Sequence, residues 1–293
     1  MSIVLFRNMD LSILIVNWNT KVFLDGCLQS IYSSVKDISF EVIVVDNNSG
    51  DGSAEMVRKT FPETRLIENK ENAGFARGNN QAYAVSKGKV IGLLNPDTIV
   101  YPGTFEKMVD YLNTHEGVGA VSCKFLNPDG SLQRQYFRRF PTVSTIFFRY
   151  SELGRRIDRR FYHGRALSSF FYEDKTFDHT ETISQPGATC LVMRRSLIEK
   201  IGLFDEQFPI LFNDVDLCKR IWNEGYEIHV LADAHITHYG GSNIKTLPKD
   251  ELNQIAICGI YRYFKKHHGF IQVLFIYLIF SIDKYISRVF NIR

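Results

Sequence analysis

Short apolar, β-branched runs alternate along this chain with stretches whose apolar residues recur at helical spacing. Leu11–Val16 (LSILIV) and Glu41–Val45 (EVIVV) have the near-continuous hydrophobicity of strands buried on both faces. Between them, Phe23–Val35 carries apolar residues at the spacing of one helix face, which makes a βαβ unit. The alternation continues with a helix over Ser53–Phe61, a strand over Thr64–Glu68, a helix over Ala73–Ser86 and a strand over Val90–Leu94. Pro102–Asn113 reads as a helix, Val118–Lys124 as a strand, and Asn127-Pro128-Asp129-Gly130 as a turn closing a hairpin. Gly187–Arg194 reads as a strand, Arg195–Ile201 as a short helix, Val215–Glu224 as an amphipathic helix and Glu227–Val230 as a strand. Strands alternating with helices predict an α/β fold with a mixed, mostly parallel sheet flanked by helices. Ligands of such a sheet sit at the carboxyl ends of its strands.

Two stretches break the pattern. Phe140–Ser184 has poor periodicity and gathers Arg149, Arg155, Arg156, Arg159, Arg160 and Arg165; it reads as an inserted, partly mobile segment, either a solvated face or a surface for anionic lipid or pyrophosphate. After about residue 246 the chain becomes a helical appendage. Its basic, aromatic Tyr261–His268 (YRYFKKHH) leads into the apolar Phe270–Ile282, which is shorter than the roughly 20 residues a helix needs to cross a bilayer. That segment suits either packing on protein or a peripheral membrane contact. The expected organisation is one domain over residues 10–245, with the insertion at about 140–184, and a C-terminal helical segment over 246–293.

Composition narrows the function without choosing it. The 293 residues are 45% hydrophobic and 23% charged, which is ordinary for a globular chain, and a formal net charge of +3 argues against a nucleic-acid partner. Five scattered cysteines form no C-x-x-C pair, and Asp10 interrupts the apolar start of the chain before any signal-peptide core forms. A cytoplasmic, reducing setting is expected, with membrane contact on the cytoplasmic face as an option; an oligomer is compatible with all of this.

Four segments carry candidate chemistry. Asp46-Asn47-Asn48-Ser49 follows an apolar strand, where Asp and Asn serve either as turn residues or as partners for a base and ribose. Asn95-Pro96-Asp97-Thr98 also follows a strand, and a carboxylate there is suited to hold a hard divalent cation against a departing diphosphate. Asn213-Asp214-Val215-Asp216 opens a helix; Asp214 there is either a cap or a base for an acceptor hydroxyl. His235–Ser242 (HITHYGGS) offers imidazole as a metal ligand and paired glycines for close approach to phosphate. A dinucleotide-binding dehydrogenase is excluded by the lack of any Gly in Asn17-Trp18-Asn19-Thr20. A nucleotidyltransferase, which presents a Gly-rich basic loop at that place, and a catalytically silent nucleotide-sugar or lipid-binding module are the alternatives.

The order V-N-W-N (Val16–Asn19), V-D-N-N-S (Val45–Ser49), N-x-G-F-A-x-G-N-N (Asn72–Asn80), N-P-D-T (Asn95–Thr98), N-D-V-D-L-x-x-R (Asn213–Arg220) and H-x-G-G-S (His238–Ser242) resembles family 2 glycosyltransferases, in particular their rhamnosyltransferase-like branch. The resemblance spans roughly Leu11–Ile244. It implies a GT-A fold and inverting transfer of a sugar, with L-rhamnose from dTDP-rhamnose as the leading donor and UDP-sugars as the other choice. The implied acceptor is a saccharide or a polyprenyl-diphosphate-linked saccharide of cell-surface polysaccharide synthesis. Carried over residue by residue, it sets Val16, Asn17, Trp18, Asp46, Asn47, Arg77, Asn95 and Asp97 around the nucleotide sugar. Asp97 and His238 would hold Mg²⁺ or Mn²⁺, and Asp214 would be the catalytic base. Two departures stand out: Asn95 replaces the first acid of the D-x-D motif, and Asn213 stands where many members have Glu.

Overall fold

The structure, a computed structural model, describes residues 9–240 and 248–289. Gly241 and Ser242 of the last motif, and the expected domain boundary at 245, lie outside the described residues.

The first half follows the expected alternation: β1 (Leu11–Asn17), α1 (Lys21–Ser34), β2 (Phe40–Asp46), α2 (Ser53–Thr60), β3 (Arg65–Glu68), α3 (Gly74–Val85) and β4 (Val90–Leu94). Then come β5 (Thr98–Val100), α4 (Thr104–Thr114), β6 (Val118–Leu126), β7 (Phe137–Arg138), α5 (Val143–Tyr150), α6 (Glu152–Ile157), β8 (Glu181–Thr182), β9 (Gln185–Pro186) and β10 (Cys190–Arg194). The chain closes with α7 (Arg195–Ile201), α8 (Asn213–Asn223), β11 (Glu227–His238), α9 (Lys249–His267) and α10 (Phe270–Val289).

The main sheet runs β3-β2-β1-β4-β10-β6-β11-β5, with β8 on β11. Strands β1 to β4 pair in parallel and β6 pairs in parallel with β11, while β10 enters antiparallel between β4 and β6. β1 shows why the buried strands read as continuous apolar runs. Leu11, Ile13 and Ile15 face the layer of α1, α2 and α4, and Leu14 and Val16 face the layer of α3, α7 and α8, so both faces need apolar side chains.

Three elements differ from the expectation. Asp97 is followed at once by the short β5, and the strand expected over Glu227–Val230 runs on to His238 as β11, with a register shift between Leu231 and His235. The two pair antiparallel, His238 opposite Thr98. Stretch 140–184, irregular in sequence, contains α5 and α6, each started by a hydroxyl cap: Thr142 Oγ1 accepts from Thr145 N (3.2 Å) and Ser151 Oγ from Gly154 N (2.9 Å). It is anchored by buried Tyr172 and Phe177 in the sheet core, and by Ile146 in a separate cluster with Phe208, Phe212, Ile260, Phe264 and Ile276.

That separate cluster fixes α9 and α10 to the domain. Phe212 adopts a left-handed φ of 69°, and Gly259 of α9 makes room for its ring, since a Cβ there would stand 2.8 Å from Phe212 Cδ2. Asp216, fully buried, reinforces the joint by pairing with Arg220 (2.9 Å), Lys266 (2.8 Å) and His267 (2.7 Å). Burial alone would push the Asp216 carboxyl up, but His267, Lys266 and Arg220 outweigh it and hold it at about 2.

Candidate active site

A cavity of about 610 Å³ opens where the carboxyl ends of β1, β2, β4 and β11 meet the start of β10. Val16 and Trp18 from the end of β1, Asn47 after β2, and Asn95 and Asp97 after β4 line one side; His238 ends β11 at the same place. The lining is completed by Tyr136 beside His238, by Arg138 of β7, by α5 and α9, and by Asn213 and Asp214 at the start of α8. Of the residues expected at the site, Val16, Trp18, Asn47, Asn95, Asp97, Asp214 and His238 therefore converge on one cavity.

Asn17, Asp46 and Arg77 do not line it. Asn17 and Asp46 are buried beside it, where Asn17 Nδ2 donates to Asp46 Oδ1 (2.8 Å) and Ser49 Oγ (3.1 Å), and Ser49 N donates to Asp46 Oδ2 (2.9 Å). This network joins the loops after β1 and β2 that carry Trp18 and Asn47. Arg77 is exposed on α3. The rest of its motif packs: a Cβ on Gly78 would meet both Val16 methyls at 2.9 Å, and Asn80 brackets Phe204 by donating to its carbonyl (2.9 Å) and accepting from its N–H (3.0 Å).

The pairing of β5 with β11 brings Asp97 and His238 together, with His238 Nε2 3.4 Å from Asp97 Oδ1; Tyr239 N also donates to the Asp97 carbonyl (2.9 Å). The histidine's orientation is set by Gln133. Its amide nitrogen donates to the His238 carbonyl (2.7 Å) and to Asn127 Oδ1 (2.8 Å), so its oxygen is the atom that meets His238 Nδ1 at 2.9 Å. That arrangement makes Nδ1 the donor to Gln133 and turns Nε2 toward Asp97. Nε2 is buried and makes no hydrogen bond. Two electron-rich atoms 3.4 Å apart match two ligands of one cation, since ligand distances of about 2.0–2.2 Å put neighbouring donors about 3 Å apart. Among the described residues no group of three or more His, Cys, Asp or Glu could hold a metal ion.

Tyr136 stacks edge-on to His238, and burial, reinforced by the charge of Asp97, pushes its phenol above the ordinary value. Under the N-P-D-T turn, Cys27 approaches Thr98 Oγ1 (3.5 Å), and burial pushes its thiol up to about 12, which leaves it inert.

Asp214 stands in the first turn of α8. Its Oδ1 accepts from Val215 N (2.8 Å) and its Oδ2 from Arg138 Nη2 (2.8 Å), which leaves further lone pairs on both oxygens. Asn213 is spent on the turn itself, donating to the Ile210 carbonyl (3.0 Å) and accepting from Asp214 N (2.7 Å). Gln133, Tyr136 and Arg138 escaped the sequence reading because they follow the Asn127–Gly130 turn in a stretch with no helical or strand period.

Residues 12–202 match the profile of "Glycosyl transferase family 2", a stretch that ends before Asp214 and His238. The chain is 23% identical over 210 residues to an N-acetylglucosaminyl-diphospho-decaprenol L-rhamnosyltransferase of Mycobacterium tuberculosis; the match covers 68% of this chain and 66% of that protein. It is 26% identical to an O-antigen biosynthesis protein of Myxococcus xanthus, over 72% of this chain and 16% of that one. Among solved structures it is similar to a mannosyltransferase of Pyrobaculum calidifontis in complex with GDP-Man and Mn²⁺, with a TM-score of 0.57 and 20% identity, covering 87% of this chain and 63% of that one.

Proposed function

This chain belongs to glycosyl transferase family 2 and has the GT-A fold, and on that premise we propose that it is an inverting, metal-dependent glycosyltransferase that uses a nucleoside-diphosphate sugar. The observation that carries this reading is the convergence of Asp97, the bare Nε2 of His238 and the carboxylate of Asp214 on one cavity at the carboxyl edge of the sheet. The proposed donor is dTDP-L-rhamnose and the proposed acceptor a saccharide linked through diphosphate to a lipid. The mycobacterial relative, named as an L-rhamnosyltransferase of N-acetylglucosaminyl-diphospho-decaprenol, supports the sugar and the acceptor class; the thymidine nucleotide rests on the family resemblance.

In this reading Trp18 and Asn47 receive the nucleotide, and Asn95 and Asp97 face its diphosphate. Mg²⁺ or Mn²⁺ held by Asp97 and His238 would offset the charge that develops on the departing diphosphate. Asn95 hydrogen-bonds Thr189 through its backbone N–H (2.9 Å) and so braces the turn that carries Asp97, a task for which a second acid is not needed. Asp214 takes the proton from the acceptor hydroxyl as that oxygen attacks the anomeric carbon from the side opposite the diphosphate. Attack and departure on opposite faces give inversion without a covalent intermediate. The test is thermal denaturation in the presence of a panel of dTDP-, UDP- and GDP-sugars with Mn²⁺, Mg²⁺ or EDTA. One base should raise the melting temperature only when metal is present; no shift with any donor would count against nucleotide-sugar binding and favour a silent lipid-binding module.

We further propose that α10 rests on a membrane surface. Ile276 is buried on the domain side, whereas Phe270, Ile271, Phe275 and Tyr277 of the same helix are more than half exposed. No described helix is long and apolar enough to cross a membrane, and the exposed Lys265 and Lys284 lie before and after the apolar stretch, so contact from the surface is the arrangement that fits. The chain is expected to co-sediment with vesicles containing phosphatidylglycerol; recovery wholly in the supernatant would remove the membrane contact.

A further inference from the structure

Arg138 is more than a counter-ion for Asp214. It sits in β7, opposite Gln185 of β9, and only its Nη2 reaches Asp214 (2.8 Å); its Nε–H is buried without a partner. The Oε1 of Gln185, its cross-strand neighbour, is also buried without a partner, although its Nε2 is used on the Arg139 carbonyl (2.8 Å). Buried polar atoms are normally satisfied, and both residues line the cavity, so a side-chain turn at either one offers the unmet donor or acceptor to a ligand there. The donor is a guanidinium, which matches phosphate oxygens, and the acceptor suits a hydroxyl.

A second guanidinium lines the same cavity. Arg149 of α5 lines the cavity, stands over the Phe171 ring at 5.1 Å and makes no ion pair among the described residues. Around it the wall is apolar, formed by Ile146, Tyr150, Leu211, Leu252 and Ala256. Charge for an anion beside a hydrocarbon wall fits an amphiphile with a phosphate head.

Resting on the glycosyltransferase reading above, we propose that Arg138 and Arg149 form a second phosphate site, which recognises the phosphate of a lipid-linked acceptor, with Gln185 accepting from a hydroxyl of its sugar. The consequence for the reaction is geometric. An acceptor phosphate that engages Arg138 draws its guanidinium from Asp214 Oδ2 and delivers the sugar hydroxyl beside the carboxylate that becomes accessible.

A donor diphosphate has the same chemistry as an acceptor phosphate, so the test fills the donor site first. The chain is saturated with dTDP or UDP, whichever binds, with Mn²⁺ equimolar to nucleotide, and titrated calorimetrically with geranyl diphosphate or geraniol. Geranyl diphosphate is expected to bind without displacing nucleotide, at least tenfold more tightly than geraniol. Arg149→Gln should weaken it by about tenfold while leaving the nucleotide Kd unchanged, the size expected for one lost charge-assisted hydrogen bond. Arg138→Gln should weaken it at least as much; should that variant unfold, Arg149→Gln still decides. Displacement of nucleotide by geranyl diphosphate would assign the guanidinium groups to the donor and overturn the proposal, as would equal binding of geraniol or no effect of Arg149→Gln. If neither nucleotide binds, the donor reading falls, and titration of the nucleotide-free chain still tests the phosphate site through the same variants.

Discussion

Replacing Asp97 with alanine is expected to lower sugar transfer by about 10²- to 10³-fold, the loss seen when a group that stabilises developing charge is removed. The same variant should lose the metal-dependent part of its affinity for a nucleoside diphosphate, measured by calorimetry with and without Mn²⁺. The reason lies in the pairing of β5 with β11, which places the carboxylate 3.4 Å from a histidine nitrogen that has no hydrogen bond. Gln133→Leu should have a smaller effect of the same kind, about 10- to 100-fold on metal affinity, since it releases the imidazole orientation without removing a ligand. Full activity and unchanged Mn²⁺ dependence in Asp97→Ala would refute the metal site.

Asp214→Asn is expected to lower transfer by about 10²- to 10⁴-fold while nucleotide affinity stays within about twofold of the parent, the signature of a lost general base. Asparagine is close to isosteric. Its one carbonyl oxygen can keep the bond from Val215 N, so α8 should begin as before, while its NH₂ stands where Oδ2 accepted from Arg138 and that ion pair is lost. Steady-state kinetics with donor and acceptor varied in turn would separate the two effects. A fall in donor binding equal to the fall in rate would place Asp214 in the donor site, and an unchanged rate would leave it as a helix-cap residue and counter-ion of Arg138.

The layers of the fold were legible because burial on both faces leaves a clear mark. β1 and β2 are apolar at nearly every position that meets a helix layer, Ser12 being a buried exception that donates to Glu41 of β2. Asp97, Asp214 and His238 were legible as motif residues; their convergence was not. It depends on β5, only three residues long, and on β11 continuing past Ala232 and Asp233, where a polar break and a register shift hide the strand. Within the N-D-V-D-L-x-x-R motif the two acids look equivalent, yet Asp214 opens on the cavity while Asp216 turns away to hold α9 through Lys266 and His267. That division comes from helical spacing combined with a partner some fifty residues away, and only the second part was missing from the sequence. Arg138 left no signal, because β7 is two residues long and its partners Gln185 and Asp214 lie far along the chain. Helices α5 and α6 were obscured by their short length, although Thr142 and Ser151 are ordinary capping residues.

The central claim is that this cavity moves a sugar from a nucleotide to an acceptor. The direct measurement is mass spectrometry of a reaction containing the chain, dTDP-L-rhamnose, Mn²⁺ and a synthetic N-acetylglucosaminyl-diphospho-lipid, run beside UDP- and GDP-sugars and an EDTA control. The account predicts that one donor yields an acceptor heavier by a single sugar, with one nucleoside diphosphate released per product and none formed in EDTA. Donors and acceptor recovered intact with every nucleotide sugar, under conditions where the protein is folded and metal is present, would contradict it.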